Sequence, residues 1–369
     1  VLMVIAADEG VMPQTREHLA ILDLLGLKNG LIVLTKIDMV DDPDWLDLVE
    51  QEVHDALTTS SLANAPLLRV SAHTGAGIAE LVQAIQAMLT DLPERPDINQ
   101  PRLPVDRVFT MSGFGTVVTG TLTGGALHVG DEVEILPQNL RARVRGLQSY
   151  KQSVETVYPG SRAAVNLSGI ERSALQRGST LAKVGVMRPS LLIDAQFRLL
   201  ADAARPLKHN TIVKVFSSTQ ESQGFVRLLN DEVLNPGQEG WIQIRLDEPM
   251  AVMPNDRYIL RIPSPAETIG GGFVVNPHSE RRWKRFQPQV IQDLKTRLEG
   301  SPTQRLTQAA LGREPLTLGA LAKAVGLPSN QVQAVLRDAI EEGLMTALND
   351  ELYIATATYN ALRRELYNI

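Results

Sequence analysis

The hydrophobic period of this chain changes twice, and those changes confine it to a few architectures. From residue 1 to about 93, apolar runs at 1–7, 30–35 and 66–70 alternate with segments of helical period at 14–25, 43–58 and 77–90. That rhythm predicts parallel strands joined by crossover helices. From about 98 to 280 the helical period is lost. Short β-rich runs such as Thr116-Val117-Val118-Thr119 and Trp241-Ile242-Gln243-Ile244 are separated by turn residues, among them Gly124-Gly125, Asn235-Pro236-Gly237 and Pro254-Asn255-Asp256. The spacing predicts small β-barrels, and the length accommodates two with a seam near Met187-Arg188-Pro189. Leu92-Pro93-Glu94-Arg95-Pro96 reads as a linker ahead of them.

From about 286 the helical period returns. Leu316 to Val325 predicts a helix, Gly326-Leu327-Pro328 a turn, and Ser329 the N-cap of a second helix reaching Glu342. Leu344–Leu348 and Glu351–Ile354 predict a hairpin about Asn349-Asp350. Helix, turn, helix and wing make a winged-helix module. The expected domains are thus 1–93, 98–187, 188–280 and 286–369. The fold class is multidomain: an α/β domain with a parallel sheet, which the resemblance described below implies is part of a P-loop-type G domain, two β-barrels, and an α+β winged helix.

In open parallel sheets, ligands gather beyond the carboxyl ends of the strands. Thr35-Lys36-Ile37-Asp38 and Ser71-Ala72-His73 both fall there. Guanine presents two adjacent donors, its ring N–H and exocyclic amine, and one carboxylate such as Asp38 accepts from both. Adenine has an unprotonated ring nitrogen at that edge and does not match. Lys36 can lay its aliphatic stem along a purine while its charge stays wet. The alternative for Asp38 alone is a helix cap after a strand. No window in the 369 residues fits the phosphate cradle G-x-x-x-x-G-K-[S/T]. Gly113-Phe114-Gly115-Thr116, flanked by β-branched residues, reads as a turn between strands instead. Val1-Leu2-Met3-Val4-Ile5-Ala6-Ala7 reads as a buried parallel strand, as expected of a chain cut inside a domain. No catalytic residue is therefore assigned, and the chain alone is expected not to hydrolyse GTP.

With those residues in place the chain resembles the selenocysteine-specific elongation factors, the SelB family of translational GTPases. Asp8-Glu9-Gly10-Val11-Met12-Pro13-Gln14-Thr15-Arg16-Glu17-His18 is similar to the stretch after switch II in translational GTPases. Arg107-Val108-Phe109-Thr110 with Gly113-Phe114-Gly115-Thr116-Val117-Val118-Thr119-Gly120 resembles the opening of their second domain. Thr268-Ile269-Gly270-Gly271-Gly272 resembles the SelB branch more narrowly, as does Thr35, where elongation factor Tu usually has Asn. Elongation factor Tu also stops before any winged helix.

The resemblance implies a GTPase, as the full-length factor, that delivers selenocysteyl-tRNA to the ribosome at recoded stop codons in the cytoplasm. It implies GTP or GDP bound at Thr35, Lys36, Asp38, Ser71, Ala72 and His73, with the Ala72 N–H donating to the guanine carbonyl. Mg2+ is expected with the full-length protein, its ligands lying outside this chain. The phosphate loop and switches would precede Val1. The modules that read the mRNA hairpin would follow Ile369.

Further residues enter through the same resemblance. The family places an Asp-Arg pair at the start of its second domain and another Arg near that domain's end, which here are Asp106-Arg107 and Arg177. A selenol is an anion at neutral pH whereas serine is neutral, so fixed guanidinium charge in a partly dry pocket separates the two. Read without the family, the same residues are a surface ion pair of little energetic weight.

Charge limits the other nucleic-acid readings. The net charge is −6, so any such binding requires local basic patches. Arg141, Arg143 and Arg145 alternate and share one strand face, while Arg281-Arg282-Trp283-Lys284-Arg285 encloses an aromatic. For each, an RNA contact and a solvated face or linker remain open. Residues 301–369 carry six Lys or Arg against seven Asp or Glu. That balance predicts a spacer or protein-contact module. There is no cysteine, hence no disulfide or thiolate metal site. Two other functions compete with the first: a non-enzymatic RNA-binding scaffold with a relict G domain, and another elongation factor Tu-like GTPase.

Overall fold

The computed structural model describes every residue except 91, 93, 94, 96, 112–114, 280, 326, 328, 368 and 369, and only the backbone of Lys323, Ser329 and Asn330. Most of the 92–96 linker, the turn at Gly113-Phe114, the turn at Gly326–Pro328 and the capping side chain of Ser329 lie outside the described residues. Contacts divide the chain into two units. One holds Val1–Glu94 with Thr268–Gly272, and the other holds the remainder.

In the first unit, β1 (Leu2–Ala6), β2 (Leu31–Thr35) and β3 (Leu67–Arg69) form a parallel sheet in the order β1-β2-β3. Leu2 pairs with Leu31 and Ile32 with Leu67, so the carboxyl ends of all three strands stand side by side. The connections are α1 (Pro13–Leu24) and α2 (Pro43–Leu57), with α3 (Ile78–Thr90) following β3. Proline opens both α1 and α2, where its missing N–H costs no intrahelical bond. Asp42 caps α2 by accepting from the Asp44 N–H at 3.0 Å. The core gathers Met3, Ile5, Leu19, Ile32, Leu34, Val49, Val53 and Leu57.

β1 departs from the expected fully buried strand. Met3 and Ile5 are buried, but Leu2 and Val4 remain 45% and 57% exposed. Side chains alternate along a strand, and here only one face of β1 packs against the core.

The second unit begins with a barrel of six antiparallel strands: Arg102–Met111, Gly115–Thr121, Arg162–Ser168, Leu140–Ser149, Glu132–Leu136 and Thr180–Lys183. Pairing of Arg162–Ser168 with Leu140–Ser149 closes the ring, which removes open edges. Its interior is apolar, built from Leu103, Val118, Ile135, Val144 and Val165 among others. A second closed barrel follows, of strands Pro189–Leu199, Glu239–Ala251, Gln220–Leu228, Thr211–Ser217, Arg257–Ile262 and Glu267–Asn276. Arg102 of the first barrel meets Asp256 of the second through two hydrogen bonds, of 2.6 and 2.7 Å.

Beyond the barrels lie helices Pro288–Glu299, Pro302–Ala310, Leu318–Val325, Ser329–Glu341 and Thr356–Tyr367. Strand Leu352–Ala355 pairs with both Met345–Ala347 and Leu316–Thr317. Leu316 and Thr317, expected within a helix, therefore form a short strand whose hydrogen bonds go to the wing. The helix predicted to begin at 316 starts at Leu318, and the next one starts at Ser329 itself. Asn349 makes the wing turn by accepting from the N–H groups of Glu351 and Leu352. These helices and strands are those of a winged-helix module.

Candidate functional site

Both sequence motifs of the first unit occupy loops at the carboxyl ends of β2 and β3. Lys36 leaves β2 in the left-handed conformation, φ 59° and ψ 31°, which costs a non-glycine residue about 1 kcal/mol or more. Its ammonium donates to both carboxylate oxygens of Asp8, at 3.1 and 3.2 Å, and lies 3.8 Å from Glu9. Those acids hold its pKa above the ordinary lysine value, Asp8 foremost. The head group is thus anchored at the end of β1 while the stem runs across the strand ends. Thr35 donates to the Ile5 carbonyl at 3.2 Å and ties β2 to β1.

Asp38 follows in a short 3-10 turn, Ile37–Met39. The Ser71 hydroxyl is the main cause holding its carboxyl below the ordinary range, with backbone amide and His73 adding to it against burial. Ser71 is fully buried, and its hydroxyl also accepts from the Thr74 N–H at 3.0 Å. The following loop closes on Gly77, which has φ +71° and no room for a Cβ, since one would lie 2.0 Å from the Arg69 carbonyl oxygen. In that loop the Ala72 N–H has no acceptor among the described residues. His73 places Nδ1 3.8 Å from Asp38, with its side chain 87% exposed. An ionised carboxylate and a free backbone donor therefore share one rim, facing solvent. Asp8 and Glu9 belong to this cluster although sequence reading left them out; their place just after β1 was the available signal.

On the first barrel, Asp106, Arg107 and Arg177 line one recess of about 600 Å³ together with Phe109, Arg172 and Gln176. Asp106 does not orient Arg107. It accepts from Arg162, at 2.5 and 3.0 Å, and from the Thr119 hydroxyl at 2.7 Å. Burial alone would raise its pKa, but Arg162 and Thr119 outweigh it and hold the carboxyl below the ordinary range. Arg107, Arg172 and Arg177 are all exposed, which gives the recess three guanidinium groups around one neutralised carboxylate. Arg172 was not singled out in the sequence, because only the turn Arg172–Ala174 carries it to the recess wall.

The two basic clusters resolve differently. Arg141, Arg143 and Arg145 share the outer face of strand Leu140–Ser149, where Arg141 and Arg143 pair in register with Glu134 and Glu132. Arg281–Arg285 is largely a fastening. The Trp283 indole donates to buried Asp194 at 3.0 Å, Arg285 donates to the carbonyls of Leu228 and Asp231, and Arg227 donates to the Trp283 carbonyl. No helix among the described residues is long and apolar enough to cross a membrane.

Comparison with known proteins agrees with this assembly. Residues 1–91 match the elongation factor Tu GTP binding domain, 115–182 elongation factor Tu domain 2, and 194–281 the selenocysteine-specific elongation factor beta-barrel domain. The selenocysteine-specific elongation factor of Desulfomicrobium baculatum is 46% identical over 277 residues, covering 75% of this chain and 44% of that protein. That of Escherichia coli K12 is 35% identical over 294 residues, covering 79% of this chain and 45% of its own length. The chain thus spans under half the length of these curated relatives. The crystal structure of bacterial selenocysteine-specific elongation factor EF-Sec superposes with a TM-score of 0.82 at 25% identity, over 99% of this chain and 58% of that one. Apo SelB from Methanococcus maripaludis gives 0.68 at 26% identity, over 80% and 66%. Over the part of their length that it spans, the chain belongs to the family of selenocysteine-specific elongation factors.

Proposed function

We propose that this chain is part of a cytoplasmic, GTP-dependent elongation factor that delivers selenocysteyl-tRNA to the ribosome at recoded stop codons. The observation that carries the substrate is the first-barrel recess, where three arginines stand around a carboxylate already neutralised by Arg162. Such a recess keeps net positive charge, and it favours a selenolate over a neutral hydroxyl.

Guanine fits the other site. Asp38 is ionised and accepts from the ring N–H and the amine, the Ala72 N–H donates to the carbonyl, and the anchored Lys36 stem covers one face of the ring. Thr35 and Ser71 brace the strand ends, and His73 stays at the rim. We take residues 1–93 as the base-binding part of the G domain, 98–187 and 188–280 as the barrels, and 286–369 as the winged helix. The Mg2+ that accompanies GTP would be held by the phosphates with one or two side chains, which the resemblance places outside these residues. No step is assigned to it. These 369 residues contain no phosphate-loop pattern, and alone they are expected not to turn over GTP. The mRNA hairpin is assigned to modules outside them.

The test uses the full-length gene product that contains this chain. Arg107→Ala and Arg177→Ala are expected to weaken selenocysteyl-tRNA binding about tenfold each, with seryl-tRNA binding nearly unchanged. Equal losses for both tRNAs would show that the arginines touch only the tRNA body and would remove the substrate assignment.

A further inference from the structure

Counted along the sequence, the winged-helix segment is acidic and looks unsuited to anions. Folding redistributes that charge. Within the second unit, a cleft of about 770 Å³ opens where the winged helix meets the two barrels. Its walls are the connection between the barrels, the turn Val252–Asn255, the end of strand Glu267–Asn276, and the helices Pro302–Ala310 and Leu318–Val325. The ionisable residues among its described lining are Lys183, Arg188, His278, Arg297, Arg305 and Arg313, and no described carboxylate joins them. Three of these arginines come from beyond residue 286, and the acids of that module stay out of the lining.

Two of the six decide the matter. Arg188 is exposed and Arg305 is half-buried, and neither has a side-chain hydrogen-bond or carboxylate partner among the described residues. The contrast lies next door: Arg102, which lines the adjoining recess with Arg305, is fully matched by Asp256. Half-burying an arginine without a counter-charge is costly. Gathering it with like charges across a concave wall adds repulsion, and an anion in the cleft relieves both. Guanidinium groups suit phosphate above other anions, because their planar donors engage two oxygens at once. The volume lies within the range of small-ligand sites, too small for a duplex.

We propose that the cleft between the barrels and the winged helix is a phosphate-binding site that holds one or two nucleotides, with Arg188 and Arg305 as principal contacts. It shares no residue with the strand-end rim or the first-barrel recess. The phosphates belong either to a single-stranded RNA segment or to a free polyphosphate, and the two differ by experiment.

Fluorescence anisotropy with a labelled single-stranded hexauridylate, and calorimetry with tripolyphosphate, are measured on the wild type and on R188Q/R305Q. Glutamine keeps most of the stem, and an unchanged melting curve certifies the fold. The expected result is at least a roughly tenfold fall in affinity in the double variant, with R141Q/R145Q binding as wild type. For RNA, the slope of log K against log salt should also shrink by about 1.4, because two phosphates of a single strand are no longer neutralised. Binding of RNA with no effect of tripolyphosphate identifies a strand, and mutual competition identifies a free phosphate compound. Wild-type affinity in R188Q/R305Q, or no binding of either probe to the wild type, overturns the proposal.

Discussion

The rim at the ends of β2 and β3 and the seam behind the second barrel each centre on one aspartate, and they are built in opposite ways. Asp38 keeps its side chain 20% exposed, and a buried serine hydroxyl helps to hold it ionised. Asp194 is fully buried and saturated. It accepts from Gln243 at 2.8 Å, from Trp283 at 3.0 Å and from Asn276 at 3.0 Å. Burial pushes its carboxyl above the ordinary range, against the pull of those donors. Asp38, the carboxylate proposed to take guanine, is left with open acceptor sites and a solvent-facing edge. One meant to hold a segment in place is filled by the protein itself. Acidity and burial thus set the two aspartates apart where residue type does not.

The sharpest way to break this contrast is to change what Asp38 accepts. In the full-length gene product, Asp38→Asn is expected to weaken GDP binding by about 4 kcal/mol, roughly a thousandfold, since two charge-assisted hydrogen bonds are lost. Xanthosine diphosphate, which carries a carbonyl where guanine carries its amine, should then bind better than GDP. Competition with a fluorescent nucleotide measures both. A variant that keeps its preference for guanine would return Asp38 to a structural role.

The opposite substitution belongs to the seam. Asp194→Ala removes the acceptor of the Trp283 indole and the Asn276 amide, while Gln243 keeps Ser279 and Arg281, at a cost of about 3 kcal/mol. The expected outcome is a fall of roughly 6–10 °C in the melting transition of the barrel unit, read by calorimetry. Nucleotide binding should not change. An unaltered melting curve would mean that water replaces the carboxylate and that the seam is not what fastens residues 279–285.

The smallest effect tests an intermediate case. Asp106 is partly exposed and paired with an exposed Arg162, so the pair contributes under about 1 kcal/mol. Its folded pKa is depressed. The stabilisation is therefore complete above the unfolded value of about 4 and is lost as pH falls through the lower folded value. Urea melts of wild type and Asp106→Asn should differ slightly at about pH 7 and converge toward about pH 3. A difference that grows on acidification would contradict the assigned direction.

Much of this molecule was legible in its sequence because the relevant signals are local. β2 and β3 announce themselves by apolar runs, and the turns after them carry Asp38 and Ser71 within a few residues of the strand ends. The barrels follow from the loss of helical period and the spacing of turns. Leu316 and Thr317 escaped that reading. Their helical pattern is genuine, yet their backbone hydrogen bonds go to Leu352 and Tyr353, a partner strand distant in sequence. Arg162 escaped as the partner of Asp106, since adjacency in sequence favoured Arg107 while Arg162 stands on strand Arg162–Ser168, distant in sequence. The basic run at 281–285 was visible, but its purpose was not: Trp283 and Arg285 turn inward to a buried aspartate and to carbonyls.

Local sequence pattern carries the order of architectures, the strand ends proposed to read a purine, and two of the arginines that line the first-barrel recess. The distribution of charge in space is a property of the folded chain. Arg188 lies in the connection between the barrels and Arg297, Arg305 and Arg313 in the helical segment after them, and composition averages all four against the acids of the chain. Closure of the barrels and docking of the winged helix bring them to one cleft and leave the acids outside its lining. Electrostatic interaction depends on distance through space and on burial, and neither quantity is written in the sequence order.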